Sequence, residues 1–263
     1  MSGEWLPALA KAASSEALLK EVYGDLAKPG VSQVGKALGT LIGLGNTILW
    51  PIQLLNEKAR VALDANLERY REKLAAVDPE KIVPVPPEVG VPVVEKLSYV
   101  GDPDLRELYT TLLLKASASD TQSQAHPSFV NILNNLSPDE AQLLKFFSKH
   151  NQVPFAGGRF VDPAKNYWVQ VIDLHFKLDA DIKLAFPDNL IAYASNLEGL
   201  GLLKILRDVF MVPETIYEPL ESELRLAFKD IPPPPNLPMF QTQRGKLEVT
   251  EFGRLFLQAC LGT

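Results

Sequence analysis

The apolar residues of this chain fall into blocks with different rhythms, and each rhythm predicts a different element. From Glu57 to Val77, Leu63, Leu67, Tyr70, Leu74 and Val77 follow at intervals of four, three, four and three. That spacing is the seam of an amphipathic helix over 57–77, and the seam is a candidate interaction surface. Arg60, Asp64, Glu68, Arg71 and Glu72 decorate its other faces. The seam suits a hairpin with the segment before it or a second copy of the chain. That preceding segment has no such alternation. Ala37 to Leu55 is 19 residues without a charge, and a helix over 34–55 would carry an uncharged stretch of about 28 Å, near the thickness of a bilayer core.

Within that block Gly35, Gly39 and Gly43 recur every fourth residue. Such a stripe lets another helix approach closely, so the three glycines, with Trp50 and Pro51 at the far end, are candidates for helix packing or membrane contact. Asn46, Gln53 and Pro51 weigh against a span, and a buried helix of a bundle is the alternative. Upstream, Leu6 to Leu26 is predicted helical and closes at Lys28-Pro29-Gly30. Downstream, five prolines between Pro79 and Pro92 predict an extended connector over 78–95.

Asp102-Pro103 is an N-cap and first-turn pair, opening a helix over 102–118 with Leu105, Leu108, Tyr109, Leu112 and Leu113 inward. A polar loop leads to His126-Pro127 and a short helix, 129–136. Ser137-Pro138-Asp139-Glu140 then reads as a capping box. The last part of the chain has another grammar. Helical signals at 167–178 and 189–197 precede Glu198-Gly199-Leu200-Gly201, where glycines end a helix and a strand begins. A proline-rich excursion, a strand at 246–250 and a helix at 251–261 follow. The expected fold is mainly α: an N-terminal helical bundle or hairpin over 1–136 with an apolar Gly-rich helix, then a winged-helix-like α+β module over 137–263, with Leu202–Leu206 and Lys246–Val249 in an antiparallel wing.

Charge narrows the function classes. The chain has 26 basic and 32 acidic residues, a net charge of −6, and residues 1–126 and 127–263 each hold 13 basic and 16 acidic groups. No tight non-specific nucleic-acid binding is expected, because that affinity comes from Lys and Arg on phosphates. The lone Cys260 cannot form an internal disulfide, and the opening residues lack a signal-peptide pattern. A cytoplasmic protein is expected, associated with the inner membrane if the apolar block inserts.

Catalytic signatures are missing. His126, His150 and His175 stand about 25 residues apart, unlike the spacings that preassemble a metal site, and His126 before a proline is expected to brace a turn. Gly43-Leu44-Gly45-Asn46 has no third glycine and no preceding strand to make a dinucleotide loop. The sequence has no G-x-S-x-G, Walker lysine or H-E-x-x-H. No catalytic residue, metal or cofactor is assigned, and the chain is read as a non-enzyme.

Several stretches resemble the Abi-alpha (abortive infection alpha) family of bacterial proteins. The carrying residues are Tyr23 to Pro29, Pro87-Glu88-Val89 through Leu97-Ser98-Tyr99, Asp104 to Leu114, and His126-Pro127-Ser128-Phe129-Val130 running on to Ala141. A looser echo lies in Leu200-Gly201-Leu202 and Thr250-Glu251-Phe252-Gly253. The resemblance implies defence against phage by stopping or killing the infected cell. Two function classes follow: an effector that disturbs the inner membrane through the Gly-rich segment, or a winged-helix-like module that binds a protein or nucleic acid. The partners are accordingly an inner leaflet, another protein, or a second copy of the chain.

Overall fold

A computed structural model describes residues 33–39 and 57–262. The chain divides into two compact units, Met1–Pro138 with Gln258–Gly262, and Asp139–Leu257.

The first unit is helical. Residues 33–39 form a helix whose Val34, Ala37 and Leu38 are buried; Ala37 O accepts from Val85 N at 2.9 Å. The rest of the predicted 34–55 helix, including Gly43, Trp50 and Pro51, lies outside the described residues. Helix α1 spans Glu57–Leu74, with Leu63, Leu67, Tyr70 and Leu74 buried. It lies against α2 (Pro87–Leu97) and α3 (Pro103–Ala116). Two buried polar side chains of α1 find partners, as burial demands: Asn66 Nδ2 donates to Leu97 O at 2.6 Å and Tyr70 Oη lies 2.5 Å from Ser117 Oγ. Glu107 of α3 joins both Arg69 and Lys73 of α1.

Helix α2 corrects the expected extended connector. Pro86 is its N-cap and Pro87 its first residue, where the missing N–H is no loss. Pro92 sits inside it, at a cost of about 3 kcal/mol. Burial of Val89, Val93, Val94 and Leu97 along one face outweighs that, at about 1.5–3 kcal/mol for each large side chain. Only residues up to Pro86 remain extended or in a short 3-10 turn. Helix α3 starts as its cap predicts, with Asp102 accepting from the N–H groups of Asp104 and Leu105 at 3.0 and 2.9 Å. His126 braces the turn into α4 (Ser128–Asn134), its Nδ1 lying 3.1 Å from Ser128 N and 2.7 Å from Ser128 Oγ.

The second unit holds a four-stranded antiparallel sheet, so the architecture is α+β rather than mainly α. Helix α5 (Pro138–Lys149) leads into β1 (Gln152–Asp162) and β2 (Tyr167–His175); α6 (Leu190–Gly199), β3 (Leu203–Arg207), α7 (Glu218–Ala227), β4 (Met239–Val249) and α8 (Glu251–Cys260) follow. The strand order is β2-β1-β4-β3. The stretch predicted helical at 167–178 is thus mostly a strand. Tyr167, Trp168, Val169, Val171 and Ile172 are aromatic or β-branched, which suits a pleated surface, and pairing with β1 decides the matter.

The predicted strand at 246–250 is the end of β4, where Leu203 pairs Val249, Ile205 pairs Leu247 and Leu206 pairs Lys246. Gly201, at φ +77°, turns the chain from α6 toward β3 in the left-handed conformation that glycine tolerates. Thr250 caps α8, accepting from Gly253 N at 2.8 Å.

The sheet changes its buried face along its length. In β1, Val153 and Phe155 are buried, and then Ala156 and Phe160. Residues of one parity face one way, so β1 serves a core on each side. The change coincides with irregular β1–β2 pairing at Ala156/Gly158 and Gly158/Arg159. One core joins α6, β3 and the C-terminal half of β4. The other joins Ala156, Tyr217, Leu220 and Leu224 under α7, with Ile172 and Phe240 packed against it.

Candidate functional site

The strongest electrostatics lie between α7 and β4. Amphipathic α7 buries Leu220, Glu221 and Leu224, so a carboxylate enters an apolar surface and needs a cation. Arg244 of β4 meets it: Nε donates to Glu221 Oε1 at 2.8 Å and Nη2 to Oε2 at 3.2 Å, while Nη1 reaches Glu214. The Arg244 bonds hold the Glu221 carboxyl below the ordinary carboxylate range. Arg244 also lies over the Tyr217 ring, and the Tyr217 hydroxyl accepts from Met211 N at 2.9 Å and donates to Gly245 O at 3.0 Å. Each group here already has its partner, and the arrangement fastens α7 to the sheet.

A second network joins α5 to α6. Asp139 accepts from Ala185 N (2.7 Å), Phe186 N (2.9 Å) and Tyr193 Oη (2.9 Å). Burial alone would raise this carboxyl, but the three donors hold it low. Asn196 of α6 donates to Glu140 at 2.6 Å, and Glu198 accepts from Ile205 N at 2.8 Å. Tyr193, Asn196 and Glu198 of α6 are therefore engaged within the unit. No Lys or Arg lies between Leu190 and Gly199.

The histidines are dispersed: His150 pairs with Asp179, His175 with Glu223, and His126 with Ser128. Among the described residues no three His, Cys, Asp or Glu side chains gather as a metal site does. Burial pushes the Cys260 thiol up, leaving it protonated and unreactive.

The predicted surface residues separate. Leu63, Leu67, Tyr70 and Leu74 are interior positions of the first unit, and Val77 lies half-buried beyond the end of α1. Among the described residues the helix that carries the seam packs against the chain's own α2 and α3. Gly35 is half-buried and Gly39 exposed; among the described residues a methyl on either meets nothing within 4 Å. Among the described residues no helix is long and apolar enough to cross a membrane. Beside α1, an open hollow of about 440 Å³ is lined by Lys58, Val61, Ala62 and Ala65.

The surface that sequence reading missed is on β2. Tyr167, Trp168, Val169 and Val171 are 58%, 49%, 39% and 38% exposed, and Arg159 of β1 lies over the Trp168 ring at 5.4 Å. The signal was the run of aromatic and β-branched residues from Tyr167 to Ile172.

A solved structure of an uncharacterized protein from the hydrocarbon-degrading marine bacterium Alcanivorax borkumensis SK2 is similar at 17% identity, covering 54% of this chain and 96% of that one, with a TM-score of 0.30. No curated protein matches the chain. The model of one family, abortive infection alpha, matches residues 60–260, most of both units. The match runs through α1, the α3 helix, the His126 turn and the sheet to α8, and by it this chain belongs to the abortive infection alpha family.

Proposed function

We propose that this chain is a non-enzymatic effector of abortive infection whose second unit, a winged-helix-like module, recognises protein rather than nucleic acid. The winged-helix reading is supported by helix α5 before β1, helix α6 before β3, and the strand order β1-β4-β3. The β2 strand and α7 are additions to that plan. In such a module the helix before the wing is the one that enters a groove of DNA. The observation that carries protein recognition is α6 itself: it has no cation, and Tyr193, Asn196 and Glu198 are bonded to α5 or β3. Phosphates would find little there to replace their counterions. Fluorescence anisotropy with duplex DNA tests this, and the expected result is no saturation in the sub-micromolar range. Tight, steeply salt-dependent binding would end the reading. A phage challenge of cells expressing the chain, with survival and phage yield recorded, tests the defence role.

A second reading is action at the inner leaflet through the Gly-rich segment, and it is supported by Gly35 and Gly39, where among the described residues an added methyl meets nothing within 4 Å. In lipid, close backbone approach along such a stripe drives helix association. Membrane potential recorded in infected cells, for the unaltered chain and for Gly39→Leu, separates the two. Unchanged potential in cells that die on infection rejects the membrane route.

A further inference from the structure

At the end of the sheet that α7 covers, the two faces differ in kind. Ala156 and Phe240 pack in the cluster under α7, so Arg159 and Val161 of β1, with Met239 and Gln241 of β4, look the opposite way. On that face Val161 pairs with Trp168 on one side and Met239 on the other, while Arg159 pairs with Gln170 and Gln241. Residues opposite one another in antiparallel strands share a face. The result is an apolar row, with Trp168 and Met239 exposed, beside a polar row centred on Arg159.

Arg159 stands apart from the other arginines between Asp139 and Leu257. Arg207 is paired with Asp173, Arg225 and Arg244 with Glu221, and Arg254 with Glu251. Among the described residues Arg159 has no carboxylate partner. It lies over the Trp168 ring, and its Nε and Nη2 both donate to Gln241 Oε1, at 3.2 and 3.0 Å. Those bonds use one edge of the guanidinium and leave the end-on edge, Nη1 with the second hydrogen of Nη2, which takes a carboxylate bidentately. They also fix the Gln241 amide, whose oxygen is spent on Arg159 and whose NH2 is left to donate. What this pair still offers is donors alone, around a positive charge held in place by a ring and an amide.

We propose that this face docks an extended acidic segment of a partner protein, with a carboxylate on Arg159 and an apolar side chain on the row of Trp168 and Met239. The inference rests on the reading of the second unit as a protein-recognising module, and it names the surface and the partner's chemistry. Charge complementarity selects the carboxylate, because the face presents one prepositioned guanidinium without its anion. Spacing selects the extended form. The two rows stand two residues, about 6.7 Å, apart along the strands, and so do alternate side chains on one face of an extended peptide. Nucleic acid fits worse, since the two rows hold a single cation and a run of phosphates needs several.

The docking is tested by titrating the full chain with the acetylated, amidated peptide Ser-Glu-Ser-Leu-Ser and with its glutamine counterpart, followed at the indole N–H resonances by NMR. The indole signal that is missing in Trp168→Phe is expected to shift and saturate, with the glutamate peptide binding about tenfold tighter than the glutamine one. Arg159→Gln is expected to abolish that preference, and Arg159→Lys to keep only part of it, because an ammonium lacks the fork. Urea unfolding of both variants is expected to match the unaltered chain; the comparison of the two peptides on the unaltered chain needs no variant. An unmoved Trp168 signal, equal binding of the two peptides, or a folded Arg159→Gln variant that still prefers glutamate overturns the proposal and leaves protein recognition by another surface standing. Tighter binding of a single-stranded oligonucleotide than of either peptide, lost in Arg159→Gln, overturns both readings.

Discussion

The two ends of the β1–β4 ladder make different cores from the same pair of strands. Toward α6 and β3, the inward residues are Val153 and Phe155 of β1 with Leu247 and Val249 of β4, all buried. Those four inward residues are all apolar, and Gly253 lets α8 come close to the Leu202 carbonyl and the Val249 side chain. Toward α7, the inward residues are Ala156, Phe160, Phe240, Thr242 and Arg244, and the contact mixes aromatic stacking with an ion pair. Phe228 stacks on Phe240 at 4.7 Å, while Phe160 meets it edge-on at 5.5 Å. A strand pair of unbroken register can thus bury one face at one end and the opposite face at the other, and one sheet then carries both a compact helical core and an added helix.

The junction is where this contrast is most easily broken. At Gly245 a Cβ would run into the Phe155 ring and come within 2.8 Å of Leu206 O, a backbone atom that cannot swing aside. Gly245→Val is expected to cost more than about 3 kcal/mol and to lower the urea midpoint of the second unit sharply. A midpoint near that of the unaltered chain would show that the two cores do not depend on the junction. Next in size, Phe240→Ala removes the stacking partner of Phe228 and part of the cluster under α7, at about 3 kcal/mol. Hydrogen exchange should rise in α7 and the adjoining half of β4, with α6 and β3 less affected. Uniform loss of protection would mean that the two cores unfold as one.

Acid sharpens the comparison, since each end has a buried carboxyl that is depressed. Glu221 on α7 is held low by Arg244, and Asp139 on α5 by three donors that outweigh its burial. A carboxyl depressed in the folded state adds stability above its unfolded pKa, roughly 4, and loses it as pH falls through the lower folded value. Stability should therefore decline through the acid range below the ordinary carboxylate pKa. Glu221→Gln and Asp139→Asn should each cost about 2 kcal/mol at neutral pH and flatten that decline. Thermal unfolding at several pH values checks this, and an undiminished acid slope in the double variant would place the linkage elsewhere.

The smallest expected effect on stability is at Gly39, where among the described residues an added Cβ meets nothing within 4 Å. Gly39→Leu should leave the melting temperature within a few degrees, consistent with a change of about 0.5 kcal/mol or less at an exposed position. If phage protection falls nonetheless, the stripe works on a partner. A large loss of stability would return it to the core.

Much of the first unit was legible along the chain. The spacing of Leu63, Leu67, Tyr70 and Leu74 determined the face that α1 buries, Asp102-Pro103 determined the start of α3, and in the second unit Gly201 and Thr250 marked the ends of α6 and β4. These are local devices, in which one residue satisfies backbone groups or shapes the chain a few positions away. The sequence pattern also carried the family and the scarcity of catalytic motifs.

Other features depended on residues far apart. Pro92 was accommodated in a helix because Val89, Val93 and Leu97 had a surface to cover. Pro154 was accommodated in β1 because β2 pairs only from Ala156 onward, leaving the first residues of β1 at an edge where a proline is tolerated. The run at Tyr167–His175 became a strand through its pairing with β1, and β1 itself, with Pro154, Gly157 and Gly158, lacks the clean alternation that announces a strand. Tertiary structure also decided that the α1 seam is interior and the β2 edge is surface, since burial belongs to the partner a face finds, and periodicity records only that a face is apolar.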